Sequence, residues 1–152
     1  MKNVKYIRPK EWYLLVTGIL ITVLYIVFAT PFYDILYPGS AQFSNQMYNQ
    51  NMYLVVAVLT SVIVWVIAIF YYWIIDRFPR FWSWFIAFVL ALAFAPSVTF
   101  VYPDQTFQEM DLDLSIDLAN FALVNLAVTG VLFFITSLCI KGFSKNCATT
   151  PF

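Results

Sequence analysis

The chain has 152 residues, of which 62% are hydrophobic, 20% aromatic and only 11% charged, with eight basic and eight acidic residues and no histidine. So little polar side chain cannot cover a water-soluble globule, which points to lipid as the main solvent. The missing histidine removes the commonest general base and metal ligand, and the few, dispersed basic residues argue against a nucleic-acid partner.

The chain opens with a basic leader, residues 2–10, followed by an apolar run at 12–30. This run is long enough to span a bilayer, which favours retention over cleavage as a signal peptide after Val27-Phe28-Ala29. Pro31 is expected to end the helix, and Gly18 and Thr22 form a weak pair of small residues inside it. Together with Pro38-Gly39-Ser40, Pro31 opens a loop over residues 31–51, uncharged apart from Asp34.

A second span follows at 52–75, with small residues Ala57, Ser61 and Ala68 on one stripe. Residues 76–80 then allow only a very short turn, so the second and third spans form an antiparallel hairpin. The third span, 81–101, repeats a small residue once per turn at Ser83, Ala87, Ala91 and Ala95, which predicts close packing against another helix or another copy of the chain. Pro96 is expected to kink this span or end its regular part.

The segment 102–117 carries the acids. Glu109, Asp111, Asp113, Ser115 and Asp117 alternate with apolar residues, a period of two that predicts a short extended strip with one apolar face. The spacing resembles the start of a calcium-binding loop, but Ile116 stands where the turn glycine belongs and Ala122 where the bidentate acid belongs. Ser115 is expected to cap the last helix and Asp117 to complement its positive end, while Glu109, Asp111, Asp113 and Asp117 are candidates for docking a basic partner.

The fourth span, 118–140, places Ala122, Thr129 and Thr136 seven residues apart and Asn125, Leu132 and Cys139 three later, so its polar groups share one stripe. A buried amide in lipid seeks hydrogen bonds between helices and can set their register, so packing is the simpler role for Asn125, Thr129 and Thr136. A pore or substrate path along them is the alternative. Trp12, Tyr13, Tyr71, Tyr72, Trp73, Trp82 and Trp84 read as an aromatic belt at one interface, with Tyr33, Tyr37, Tyr53 and Tyr102 at the other.

Every Lys and Arg falls in 2–10, 77–80 or 141–145, and six of the acids fall in the two segments between. Cationic loops resist translocation, so the expected fold is an all-α integral membrane protein. It is a single-domain four-transmembrane-helix bundle with both termini cytoplasmic, in a plasma membrane of bacterial inner-membrane type. Cys139 and Cys147 then lie in a reducing compartment, with no disulfide. No charged residue falls in mid-span and no catalytic or metal-binding constellation is complete. The expected role is a non-catalytic subunit without cofactor or metal, whose partners are the lipid bilayer, further copies of the chain, and other membrane or periplasmic proteins. A small homo-oligomeric channel or lipid-handling protein using the stripe of the fourth span is the alternative, and a sensor working through the acidic loop is a third.

Overall fold

The computed structural model describes residues 9–75, 80–144, 146, 147, 150 and 151. The first part of the basic leader and most of the expected tight turn, residues 76–79, lie outside the described residues. All regular structure among the described residues is helical: α1 (Pro9–Val27), α2 (Ala29–Leu36), α3 (Ala41–Asn49), α4 (Met52–Ile69) continued by a π-helical stretch (Phe70–Ile75), α5 (Phe81–Glu109), α6 (Ser115–Ile140) and a 3₁₀ turn (Lys141–Phe143). Three segments are long and apolar enough to cross a membrane, Met52–Trp73, Phe81–Glu109 and Ser115–Phe143; the bent pair α1 and α2 makes a fourth if counted as one span.

The break in that pair sits upstream of the residue that causes it. Proline at position i takes the hydrogen bond from the carbonyl at i−4 and crowds it. For Pro31 that carbonyl belongs to Val27, where α1 ends, and the axis of α2 turns away by 72°. Pro31 itself falls in the first turn of α2, where free backbone donors are normal. The expected stop at residue 30 is therefore a bend, and the expected loop at 31–51 is mostly helix.

A short connection with Gly39 at φ 57° leads into α3. A Cβ at that glycine would lie 2.7 Å from a ring carbon of Phe43, so both backbone and space require glycine. Ser40 caps α3 by accepting from the Phe43 amide at 3.2 Å, and Phe43 and Met47 turn fully into the core.

α5 runs unbroken past Pro96 and Pro103 for 29 residues, about 44 Å at ~1.5 Å per residue, against the ~30 Å of a hydrocarbon core. Pro96 thus neither ends the helix nor begins a loop at 102. Thr99 and Ser97, in the turn after Pro96, donate their hydroxyls to the Ala95 and Ala93 carbonyls at 2.8 and 2.6 Å.

No extended strip follows. Glu109 is the last residue of α5; the Leu112 amide donates to the Phe107 carbonyl and the Asp111 amide to the Gln108 carbonyl, both at 3.0 Å, with Asp111 at φ 55°. This pair of bonds is a Schellman ending with aspartate in the left-handed position that glycine usually takes. The alternation of apolar and acidic residues at 109–117 therefore records one helix end and the next helix start, not a strand.

Within the bundle α5 packs against α6 and α4, α4 also against α6, and α1 against α6 and α4. α1 comes close to α6 at Gly18, where an added Cβ would stand 2.8 Å from the Cys139 Cβ. Five of the eleven residues expected in the aromatic belts are core instead: Tyr33, Tyr53, Tyr71, Tyr72 and Trp84 are buried, Tyr37 is half-buried, and Trp12, Tyr13, Trp73, Trp82 and Tyr102 are exposed.

Candidate functional site

The polar groups of the bundle gather around Asn125, which is 0% exposed midway along α6. Its Nδ2 donates to Thr99 Oγ1 of α5 at 2.8 Å and to Thr60 Oγ1 of α4 at 3.1 Å. Its Oδ1 accepts from the Tyr33 hydroxyl of α2 at 2.5 Å. Tyr33 has only one proton to give, so the Tyr25 hydroxyl of α1, 2.5 Å away, is the donor in that contact. One amide thereby joins every long helix of the bundle, directly or through one hydroxyl.

Thr129 continues the stripe on the next turn, donating to the Asn125 carbonyl at 2.7 Å, and Thr136 is buried two turns further on. Both are buried against protein. Toward the Lys141 end, Trp84 Nε1 donates to Ser137 Oγ at 3.1 Å, and the Tyr72 hydroxyl donates to the Thr150 carbonyl at 3.0 Å, tying the end of the chain to the π-helical stretch. Cys139 and Cys147 are free thiols, both buried.

The small-residue stripe of α5 is internal. Ala87, Ala91 and Ala95 are buried within the single chain, and Ser83 lies at the helix start, donating to the Arg80 carbonyl at 2.7 Å. On α4, Ala57, Ser61 and Ala68 are buried as well, while Thr22 of α1 accepts from Trp65 Nε1 at 3.0 Å. The Ser61 hydroxyl and the Tyr53 hydroxyl are buried without a hydrogen-bond partner.

The four acids proposed from the sequence do not act as one patch. Asp117, in the first turn of α6, accepts from the Tyr37 hydroxyl at 2.8 Å and from Ser40 Oγ at 2.5 Å, so it latches the α2–α3 connection to α6. Asp111 forms the turn after α5. Asp113 accepts from the Ser115 amide at 3.3 Å and from its hydroxyl at 2.7 Å, and these bonds hold its carboxyl below the ordinary carboxylate value. Ser115 is thus capped by Asp113 rather than capping α6 itself. Glu109 is exposed at the end of α5.

Thr60, Thr99, Tyr25 and Tyr33 are the members of the hub that the sequence did not reveal. Threonine in an apolar helix is common, and a tyrosine near the end of a span reads equally well as an interfacial ring. Among the described residues, no group of three or more His, Cys, Asp or Glu is placed to hold a metal ion. Comparison with protein-family models, curated proteins and solved structures returns no match for the chain, so its functional reading rests on these residues alone.

Proposed function

We propose that the chain is a non-catalytic, multi-pass subunit that assembles with copies of itself, with partner proteins, or with both, in a membrane complex of secretion, envelope or defence type. The observation that carries this reading is the closed, uncharged core. The Asn125 amide is engaged within the chain, and among the described residues no ionisable group other than tyrosine and the thiol of Cys139 is buried among the spans. Proton-coupled carriers and membrane enzymes keep a charged or reactive group at that depth. What remains for function is the outer surface, where Val62, Val66, Leu90 and Phe94 line an apolar furrow between α4 and α5.

The distribution of Lys and Arg supports both termini in the cytoplasm and a plasma membrane of bacterial inner-membrane type. Docking of a basic partner on the acidic segment has narrower support, because Asp111, Asp113 and Asp117 each have a local structural role. The channel alternative needs a path along Asn125, Thr129 and Thr136, all of which face protein.

Chemical cross-linking in membranes and native mass measurement in mild detergent test the proposal. An oligomer or a stoichiometric partner is expected. A strictly monomeric species with no co-purifying protein overturns it.

A further inference from the structure

Beyond the 3₁₀ turn the sequence is mostly polar, yet Ser144, Cys147, Thr150 and Pro151 are buried. The hydrogen bonds that shape this strap are local. The Ser144 amide donates to the Lys141 carbonyl at 3.1 Å and the Cys147 amide to Ser144 Oγ at 2.8 Å. The Thr150 amide and hydroxyl both donate to the Cys147 carbonyl, at 3.0 and 2.7 Å. Bonds that each span three residues fold the strap without fixing where it lies.

The π-helical stretch supplies its anchors. Tyr71 and Tyr72 are both buried, pack edge to face with ring centroids 4.9 Å apart, and turn their hydroxyls to Thr150. Tyr72 donates to the Thr150 carbonyl at 3.0 Å. The Thr150 hydroxyl proton goes to the Cys147 carbonyl and the Ser83 proton to the Arg80 carbonyl. Tyr71 is therefore the donor toward Ser83 Oγ at 3.2 Å and Thr150 Oγ1 at 3.5 Å. Thr150 thus meets both tyrosines and, through Tyr71, the start of α5. A π-helical stretch is rare against α-helix, so tertiary contacts must favour it where it occurs, and the strap makes such contacts. The Asn125 hub and the bond from Trp84 to Ser137 involve no residue of the strap. Stability in a folded chain is graded, and an end folded by local bonds opens ahead of the core it leans on.

We propose that the strap of Ser144, Cys147, Thr150 and Pro151 is a clasp that opens and closes as one unit with the π-helical end of α4 while the Asn125 hub stays formed. Opening frees the Cys147 thiol and the hydroxyls of Tyr71 and Tyr72 at the Lys141 end of the bundle. The inference does not depend on whether the protein assembles with partners.

The test uses the full chain in mild detergent and two readouts, each rate divided by that of the denatured chain. One is alkylation of Cys147 by N-ethylmaleimide, with the buried Cys139 as internal reference; the other is amide exchange of residues 70–75. In the parent, Cys147 is expected to react at least about tenfold faster than Cys139. Tyr72→Phe removes the donor to the Thr150 carbonyl and should raise Cys147 alkylation and exchange at 70–75 by one common factor of about 2 to 10. Thr150→Val, a second variant, should act in the same direction. Asn125→Leu loosens the hub and should raise Cys139 alkylation while leaving Cys147 and 70–75 unchanged. Faster reaction of Cys147 in Tyr72→Phe without faster exchange at 70–75 separates the strap from the π-helical stretch and overturns the proposal. Indifference of both readouts to Tyr72→Phe and Thr150→Val overturns it too, as does a parent Cys147 as reactive as in the denatured chain. Equal protection of the two thiols, lost together in Asn125→Leu, makes global unfolding the route of opening and is equally fatal.

Discussion

Replacing Asn125 by leucine removes the amide that joins α2, α4 and α5 to α6. Three interhelical partners are lost, the hydroxyls of Tyr33, Thr60 and Thr99. Interhelical hydrogen bonds in membranes average ~0.6 kcal/mol and reach ~1.7, so three of them amount to about 2 to 5 kcal/mol. Leucine returns some packing, but it leaves hydroxyls facing an apolar side chain. Thr99 keeps its bond to the Ala95 carbonyl and Tyr33 its bond from Tyr25, so these two are only partly orphaned. The expected net loss is about 2 to 4 kcal/mol. Reversible unfolding in mixed micelles with increasing dodecyl sulfate measures it, and a double-mutant cycle with Thr99→Val isolates one arm. That cycle should give a coupling of about 0.6 to 1.7 kcal/mol. A loss below ~0.5 kcal/mol for Asn125→Leu, or strict additivity with Thr99→Val, would refute the hub as an organiser of the bundle.

Four further outcomes follow from local geometry. Asp111 holds φ 55° in the turn after α5, so Asp111→Gly should stabilise by about 0.5 to 1 kcal/mol and Asp111→Val should destabilise by at least as much, read in the same unfolding assay. Gly18→Ala brings a methyl to 2.8 Å from the Cys139 Cβ, and the resulting separation of α1 from α6 should cost about 1 to 3 kcal/mol; an unchanged midpoint would show the two helices farther apart than described. The buried Ser61 hydroxyl has no partner, so Ser61→Ala should be neutral or stabilise by up to about 1 kcal/mol, and a clear loss would reveal a partner for it. The Asp113 carboxyl lies below its ordinary value of 3.8, so its contribution is full above that pH and fades as pH falls through the lowered folded value. Asp113→Asn should flatten the acid side of the stability profile, where pH falls through the lowered folded value, and a profile identical to the parent's would contradict the Ser115 contacts.

The sequence carried the helices and the importance of Asn125 plainly. A long uninterrupted apolar run can satisfy its backbone in lipid only as a helix, and a lone amide inside one must find hydrogen-bond partners. It hid the partners of that amide. Thr60 and Thr99 are ordinary residues of apolar helices until the register of α4 and α5 against α6 is known, and that register depends on contacts distant in sequence. Tyr33, Tyr71 and Tyr72 read as interfacial rings for a chemical reason. Tyrosine suits an interface because one end is apolar and the other polar, and the same property suits a core that supplies a hydrogen-bond acceptor. The acidic strip misled through coincidence of period. Asp111 sits at a left-handed turn and Asp113 and Asp117 belong to a helix start, yet together they alternate as a strand would. Pro31 signalled the right disruption at the wrong place, since its effect falls on the Val27 carbonyl four residues earlier.

The bend and the hub are one device. A helix pair that turns by 72° exposes backbone at the corner and needs anchors beyond it, and the chain supplies them as three tyrosines on the bent pair. Tyr33 donates to Asn125, Tyr25 donates to Tyr33 from the other side of the corner, and Tyr37, one turn after Tyr33, reaches Asp117. Asn125 and Asp117 are eight residues apart on α6, about 12 Å along its axis, so α2 is held against α6 at two heights rather than at a point. Ser40 adds a second bond to Asp117 from beyond the turn, and Phe43 and Phe121 pack between the two anchors with ring centroids 5.8 Å apart. Two anchors at different heights oppose a pivot of α2 about either one.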